Sequence, residues 1–410
     1  MSKIDDLIAQ YCPNGVEFKK LWELTAWDKR FNDVDNRKQI KIIKYPYVLA
    51  KTLKEMEVSG GDIYLLAAGS YQGWTTKNKA KKHLCEGEVV AIPEGGTANV
   101  RYYKGRFVTS NNRLATSLDI DVMHNKYLYY FMLDNVDSIQ SFYRGSGIQH
   151  PNMAQVLDMD IPIPPLPVQQ EIVKILDTFT ELEAELEAEL EARKKQYKYY
   201  RDELLSFDDK SIFNELGDIM TIARGASPRP ISSYITNDID GINWIKIGDV
   251  KTGAKYITTT KQKITTAGAK KSRLLKKGSF VLSNSMSFGR PYILEIDGCI
   301  HDGWISMSCF QHAVLPDFLY HILNSERTQQ YWIQRACSGT VQNLNAAIVR
   351  KTKIPVPSLV EQERIVAILD KFDALVNDIT IGLPAEITAR RQQYEYYRNQ
   401  LLTFKGHDGI

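Results

Sequence analysis

The sequence predicts an α+β protein: two duplicated globular domains, joined and separated by long helices that form an antiparallel coiled coil. Three observations predict it. IPIPPLPVQQEIVKILD at residues 161–177 returns as IPVPSLVEQERIVAILD at 354–370, 193 positions later. A second string follows each copy: QYKYYRDELLSF at 196–207 and QYEYYRNQLLTF at 393–404, an offset of 197. Both repeated regions carry apolar residues at helical spacing, while the stretches before them carry short β-like runs between turns. Identity over such strings is not a composition effect, so the chain is an internal duplication.

The order is domain, helix, domain, helix: residues 1–160, 161–207, 208–353 and 354–410. Weaker parallels run through the globular parts. VEFKKLWEL at 16–24 resembles IFNELGDIM at 212–220, EGEVVAI at 86–92 parallels KGSFVLS at 277–283, and KYLYYFML at 126–133 parallels DFLYHIL at 317–323. The globular parts have diverged while the helical parts stayed alike. Two surfaces with different targets on one shared frame would look like this, and so would an old duplication with a loosened surface.

In the first globular part, strands are expected at Ile42 to Val48, Asp62 to Ala67, Glu88 to Ile92 and Arg106 to Thr109. Between them lie polar loops with Ser70, Tyr71, Gln72, Trp74, Lys77, Lys79, Asn99, Asn111 and Arg113. In the second part, strands are expected at Ile242 to Ile247, Lys255 to Thr259 and Ser279 to Leu282. Its loops offer Arg224, Ser227, Arg229, Lys246, Ser283, Asn284, Ser285, Ser287, Arg290 and His301. Asn and Gln can pair with adenine, Arg and Lys with guanine, and Ser or Thr can hold phosphates. Each residue alone is also an ordinary turn or cap residue; the clusters carry the expectation.

Pro162, Pro164, Pro165 and Pro167 end the first part in an extended segment. A helix then starts near Val168 with a stripe at Ile172, Ile175, Phe179, Leu182, Leu186 and Leu190. From Val168 to Phe207 it would run about 60 Å. A rod of that length with one apolar seam needs a partner along it. The second copy supplies Ile365, Ile368, Phe372, Leu375, Tyr394, Tyr397 and Leu401. Its Gly382-Leu383-Pro384 should interrupt the helix, with Pro384 tolerated in a new first turn. ELEAELEAELEA at 181–192 repeats every four residues, and leucines four apart drift about 40° around a helix at each step. The tract reads as a spacer of set length or as a well-solubilised helix of strong formers.

The 410 residues suggest two or more domains. The opening MSKIDDLIAQ has no apolar signal core, and no apolar run is long enough for a bilayer. The scattered Cys12, Cys85, Cys299, Cys309 and Cys337 suggest neither disulfides nor zinc. A cytoplasmic location is the expectation. Net charge is only +3, but basic residues gather at Lys77, Lys79, Lys81 and Lys82, and at Lys270, Lys271, Arg273, Lys276 and Lys277. A nearly neutral total can hide a positive surface. No Asn-Pro-Pro-Tyr or Asp-Pro-Pro-Tyr, GxxxxGK[ST] or HExxH motif is present.

The domain–helix order, the two IPxPxLxxQxxIVxILD-like segments, the YxYYRxxLLxF endings and the opening CPNGVEFKKL resemble the specificity subunit of type I restriction-modification systems. The resemblance covers nearly the whole chain. It implies that 1–160 and 208–353 are target recognition domains, each for one half of a split sequence in double-stranded DNA. It implies that 161–207 and 354–410 are the ruler and docking surface for two methyltransferase subunits, with restriction subunits joining in the full complex. It implies adenine methylation performed elsewhere: this chain binds no cofactor, and S-adenosylmethionine, ATP and magnesium belong to its partners. Two other readings are a duplicated protein-binding scaffold, which salt-dependent duplex binding would exclude, and a self-contained nuclease, which would cut DNA with magnesium alone.

Overall fold

In a computed structural model, the residues described are 3–69, 71–207, 213–250, 253–284, 288–336, 343–378 and 380–407. They fall into two compact units, one of residues 1–183 with 390–410 and the other of 184–389. Three helices carry the repeated strings: α1 (Leu166–Leu204), α2 (Leu359–Asn377) and α3 (Leu383–Leu402). α1 starts in the first unit and ends in the second. The break before α3 falls at the glycine, and Leu383-Pro384 opens the new helix, where a missing N–H costs nothing.

The first unit is built on a six-stranded sheet. Its order is Thr25–Trp27, Asn112–Ser117, Cys85–Pro93, Arg101–Thr109, Ile63–Leu66 and Trp74–Thr75. Neighbours are antiparallel, except that Ile63–Leu66 runs parallel to Arg101–Thr109. In the second unit a five-stranded sheet has the order Thr221–Arg224, Trp304–Ser308, Phe280–Ser283, Pro291–Leu294 and Tyr256–Ile257. Its orientations are the same, with Tyr256–Ile257 parallel to Pro291–Leu294. The duplication therefore extends to strand order in the parts whose sequences have separated. A second five-stranded sheet, from Ile235–Thr236 to Arg273–Leu275, has no counterpart among the described strands of the first unit.

The strand expected at Ile42 to Val48 is an extended segment with only isolated bridges, Trp27 to Ile42 and Tyr47 to Thr109. Pro46 inside it lacks the N–H a ladder requires. The opening repeat shifts by one residue from its sequence alignment. Leu21 N–H donates to Met159 O and Leu216 N–H to Thr352 O, so Leu21 matches Leu216, both fully buried.

Each unit anchors its long helix with one buried glutamine. Gln169 Oε1 accepts from His124 N–H, and its Nε2 donates to Val122 O and Pro164 O at 2.8–2.9 Å. Gln362 repeats the set: Oε1 accepts from Leu315 N–H, and Nε2 donates to Ala313 O and Pro357 O. Further along α1, Asp177 accepts from Tyr130 at 2.5 Å and Lys126 at 2.7 Å. Its counterpart in α2, Asp370, accepts from His321 at 2.8 Å, with Lys255 at 3.4 Å. Burial works against the Asp370 charge, but His321 and Lys255 outweigh it and hold the carboxyl below its usual value.

The helices pair by exchange between the copies. In the first unit Phe179 of α1 stacks on Tyr397 of α3 at 5.6 Å and meets Tyr394 at 6.2 Å. Glu183, one turn further along α1, pairs with Arg391, further back in α3, so the two run antiparallel. In the second unit Phe372 of α2 stacks on Tyr197 at 6.3 Å and Tyr200 at 5.5 Å. Ile172 and Ile365 are fully buried, and Ile175, Leu190, Tyr394 and Leu401 pack against the cores. Leu186 and Ile368 are half-buried. Leu182 is 42% and Leu375 36% exposed, while Leu176, Leu369 and Val376 are buried. An apolar series at four-residue intervals rotates off the contact line, and neighbouring positions take over the seam.

Candidate nucleic-acid interface

In the first unit the candidate loop residues form two groups, one around Tyr71 and Trp74 and one around Glu94. Tyr71 is held on both sides: its hydroxyl donates to Glu57 at 2.7 Å, and Arg101 Nη1 donates to its carbonyl at 3.1 Å. Desolvation and the Glu57 carboxylate push its phenol up to about 12. Trp74 lies on the edge strand, 46% exposed, edge-on to Tyr64 at 5.4 Å, which itself stacks on Tyr103 at 4.6 Å. Gln72, Lys77 and Lys79 are exposed beside it, with Lys79 Nζ near the carbonyls of Glu55 and Glu57.

The other group centres on Glu94. Arg113 Nη1 lies 3.0 Å from its carboxylate and Lys29 Nζ 3.7 Å, with the Arg113 guanidinium 5.5 Å over Phe31. Asn111 takes a positive φ of 50° in the tight connection between Arg101–Thr109 and Asn112–Ser117, and its carbonyl accepts from Glu94 N–H. A short polar side chain tolerates that conformation, so Asn111 serves the turn. Asn99 is half-buried after a loop tied to Gln149 O and Gln140 Oε1.

In the second unit five candidates converge on Asp302. Arg224 Nε donates to its carbonyl at 2.9 Å, Asn284 Nδ2 to the same carbonyl at 3.3 Å, and Ser227 Oγ to its carboxylate at 2.8 Å. Arg229 lies 3.7 Å from that carboxylate and His301 Nδ1 equally 3.7 Å. The Ser227 hydroxyl holds the Asp302 carboxyl below its ordinary value; burial pushes His301 down, so its ring is neutral near pH 7. Arg273 Nε donates to Arg224 O, and Lys271 Nζ to Tyr234 OH. Arg224, Arg229, Lys271 and Arg273 are all exposed. Gly225 permits this approach: a Cβ there would collide with the carbonyl of His301. Ser283 and Asn284 are buried at the sheet end rather than displayed. Lys246 is bonded to Gln262 at 2.7 Å. Arg290 joins a different group, in a cavity of about 360 Å³ with Tyr197, Arg201 and Asp373. Ser70, Ser285 and Ser287 lie outside the described residues.

Sequence reading missed Glu57 and Glu94, and it took Asp302 only as a neighbour of His301 in the loop His301-Asp302-Gly303-Trp304. These carboxylates gather the candidates, and nothing local marks that role. The basic run containing Lys271 and Arg273 was the one available signal.

The geometry is of two unlike polar surfaces on two copies of one sheet. A profile of the type I restriction modification DNA specificity domain matches residues 13–192 and again 210–389. The chain belongs to this family. A putative type I restriction enzyme specificity subunit from Haemophilus influenzae is 36% identical over 336 residues, 78% of this chain and 83% of that one. The EcoR124I/EcoR124II specificity subunit from Escherichia coli is 30% identical over 350 residues, 81% and 84%. The crystal structure of a type I S subunit from M. genitalium matches with a TM-score of 0.57 at 16% identity, covering 95% of this chain and 96% of that one. A chain from a structural study of assembly in a type I R-M system gives 0.55 at 14% identity, covering 95% and 97%. The fold is thus that of type I specificity subunits, which are themselves non-catalytic. Among the described residues no helix is long and apolar enough to cross a membrane.

Proposed function

We propose that this chain reads a split sequence in duplex DNA and brings partner subunits to it as the specificity subunit of a type I restriction-modification system. The observation that carries the reading is the repeated sheet order under two differing polar surfaces. One frame displays Trp74, Lys77 and the Glu94 group; the other displays the Asp302 group. Residues 1–160 and 208–353 are the two recognition domains, and 161–207 and 354–410 the ruler and docking surface. Two half-site energies combine when a fixed link makes the second contact intramolecular.

The partners are two methyltransferase subunits and, in the full complex, restriction subunits working in the cytoplasm as host defence. Methylation of adenine with S-adenosylmethionine, and cleavage with ATP and magnesium, belong to those partners. The test is co-expression with the methyltransferase subunit and mapping of modified bases. Arg224→Ala with Arg229→Ala is expected to weaken or relax one half of the target and leave the other half unchanged. Modification without any split consensus, or loss of both halves together in a folded variant, would refute the reading.

A further inference from the structure

The second unit holds a basic cavity away from the Asp302 group's own residues. Its volume is about 430 Å³, and its lining includes Arg327, Arg335, Lys351, Lys353, Tyr331 and Glu215. Four cations face one carboxylate. Among the described residues none of the four makes an ion pair. All four are exposed, and the two guanidinium groups each lie against an aromatic ring. Arg327 lies 4.6 Å from the Phe213 ring centroid and Arg335 3.8 Å from that of Tyr331. Stacking holds the planar group by its face and leaves its N–H edge free, the arrangement that suits a bidentate oxyanion. Two lining residues are tied in place: Thr352 Oγ1 accepts from buried Trp332 Nε1 at 2.8 Å, and Tyr331 OH donates to Lys351 O at 3.0 Å.

The other repeat is an internal control. Lys351 and Lys353 stand where the first unit has Asp158 and Asp160, and Glu215 stands where it has Lys20. There the charges are neutralised: Lys20 pairs with Asp160 at 2.7 Å and Lys38 with Asp158 at 2.5 Å. One shared framework thus closes this place with ion pairs in one unit and leaves excess positive charge in the other. Like charges gathered at an exposed site repel one another weakly through solvent, and an anionic occupant that displaces water between them gains from all four at once.

We propose that this cavity seats backbone phosphates of duplex DNA, anchoring the second half-site without reading its bases. The proposal rests on the reading of the chain as a DNA reader. Phosphate contacts position a protein and carry no sequence information directly, so their loss has a distinct signature. The test measures duplex affinity of the full-length chain against salt concentration, for target and unrelated duplexes. Arg327→Gln/Arg335→Gln and Lys351→Gln/Lys353→Gln are expected to weaken both duplexes by the same factor. The slope of log affinity against log salt should become shallower by about 0.9 for each phosphate that is no longer neutralised. Arg335→Lys should keep most of the slope.

Unchanged slope and affinity in both double variants, beside a salt-dependent wild type, would overturn the cavity assignment alone. Saturable binding of inorganic phosphate or ATP at constant ionic strength, lost in the variants with duplex slopes intact, would point to a free phosphate ligand and overturn it. Variants that keep the slope but no longer associate with the methyltransferase subunit would assign the cavity to an acidic protein surface, which also overturns it. A wild type whose duplex binding ignores salt would remove the DNA reading itself.

Discussion

Gln169 and Gln362 are completely buried, and each side chain bonds to three backbone groups from the segments before its helix. A leucine of similar size would leave one N–H and two carbonyls without partners. Each buried polar group left unpaired costs about 1–3 kcal/mol. Gln169→Leu and Gln362→Leu are therefore each expected to destabilise their own unit by about 3 kcal/mol. Hydrogen exchange checks this locally: His124 N–H should exchange faster in the first variant and Leu315 N–H in the second, with the other unit unchanged. Both glutamines sit inside the repeated string, so the signal was visible; their role was not, because their partners precede them by up to 49 residues. Asp302 was harder still. It gathers Arg224 and Ser227 from more than 70 positions away, and no spacing rule connects them.

At the level of elements, the long helices were legible because their period repeats in each copy. The break at Gly382-Leu383-Pro384 was legible for a related reason: proline fits only a first turn. Which face packs was less so, since Leu182 and Leu375 lie outward while Leu176 and Val376 lie inward. The ELEA tract occupies the part of α1 that passes from the first unit into the second. Deleting residues 185–188 shortens the helix by about 6 Å and turns its C-terminal portion by about 40°. Two base-pair steps span about 6.8 Å, so the expected outcome is a shorter preferred gap with both half-site sequences kept. Methylation-site mapping of the assembled complex reads it directly, and an unchanged gap would count against a ruler.

For the whole molecule, the duplication was plain but the sheets were not. Their order joins strands far apart in the chain, and a two-residue strand such as Tyr256–Ile257 has no pattern to read. Nor did the repeats show that the first unit takes its last element from the far end of the sequence. Val16 N–H donates to Lys405 O at 2.9 Å, and Gly15, with φ +89°, lets the tail come that close. Truncation after Ala389 should accordingly preserve the second unit and loosen the first. Limited proteolysis is expected to leave a resistant fragment within 184–389 while cutting 1–183 rapidly; equal resistance of both would contradict the division.

That closure also sets an order of events during translation. Residues 184–389 leave the ribosome as one uninterrupted piece and can fold at once. The earlier-made residues 1–183 hold their own sheet and most of their core, but Phe179 gains Tyr394 and Tyr397 only when residues 390–410 are released. A protein that is read from its beginning is completed from its middle outward, and the half born first is the last to receive its final helix.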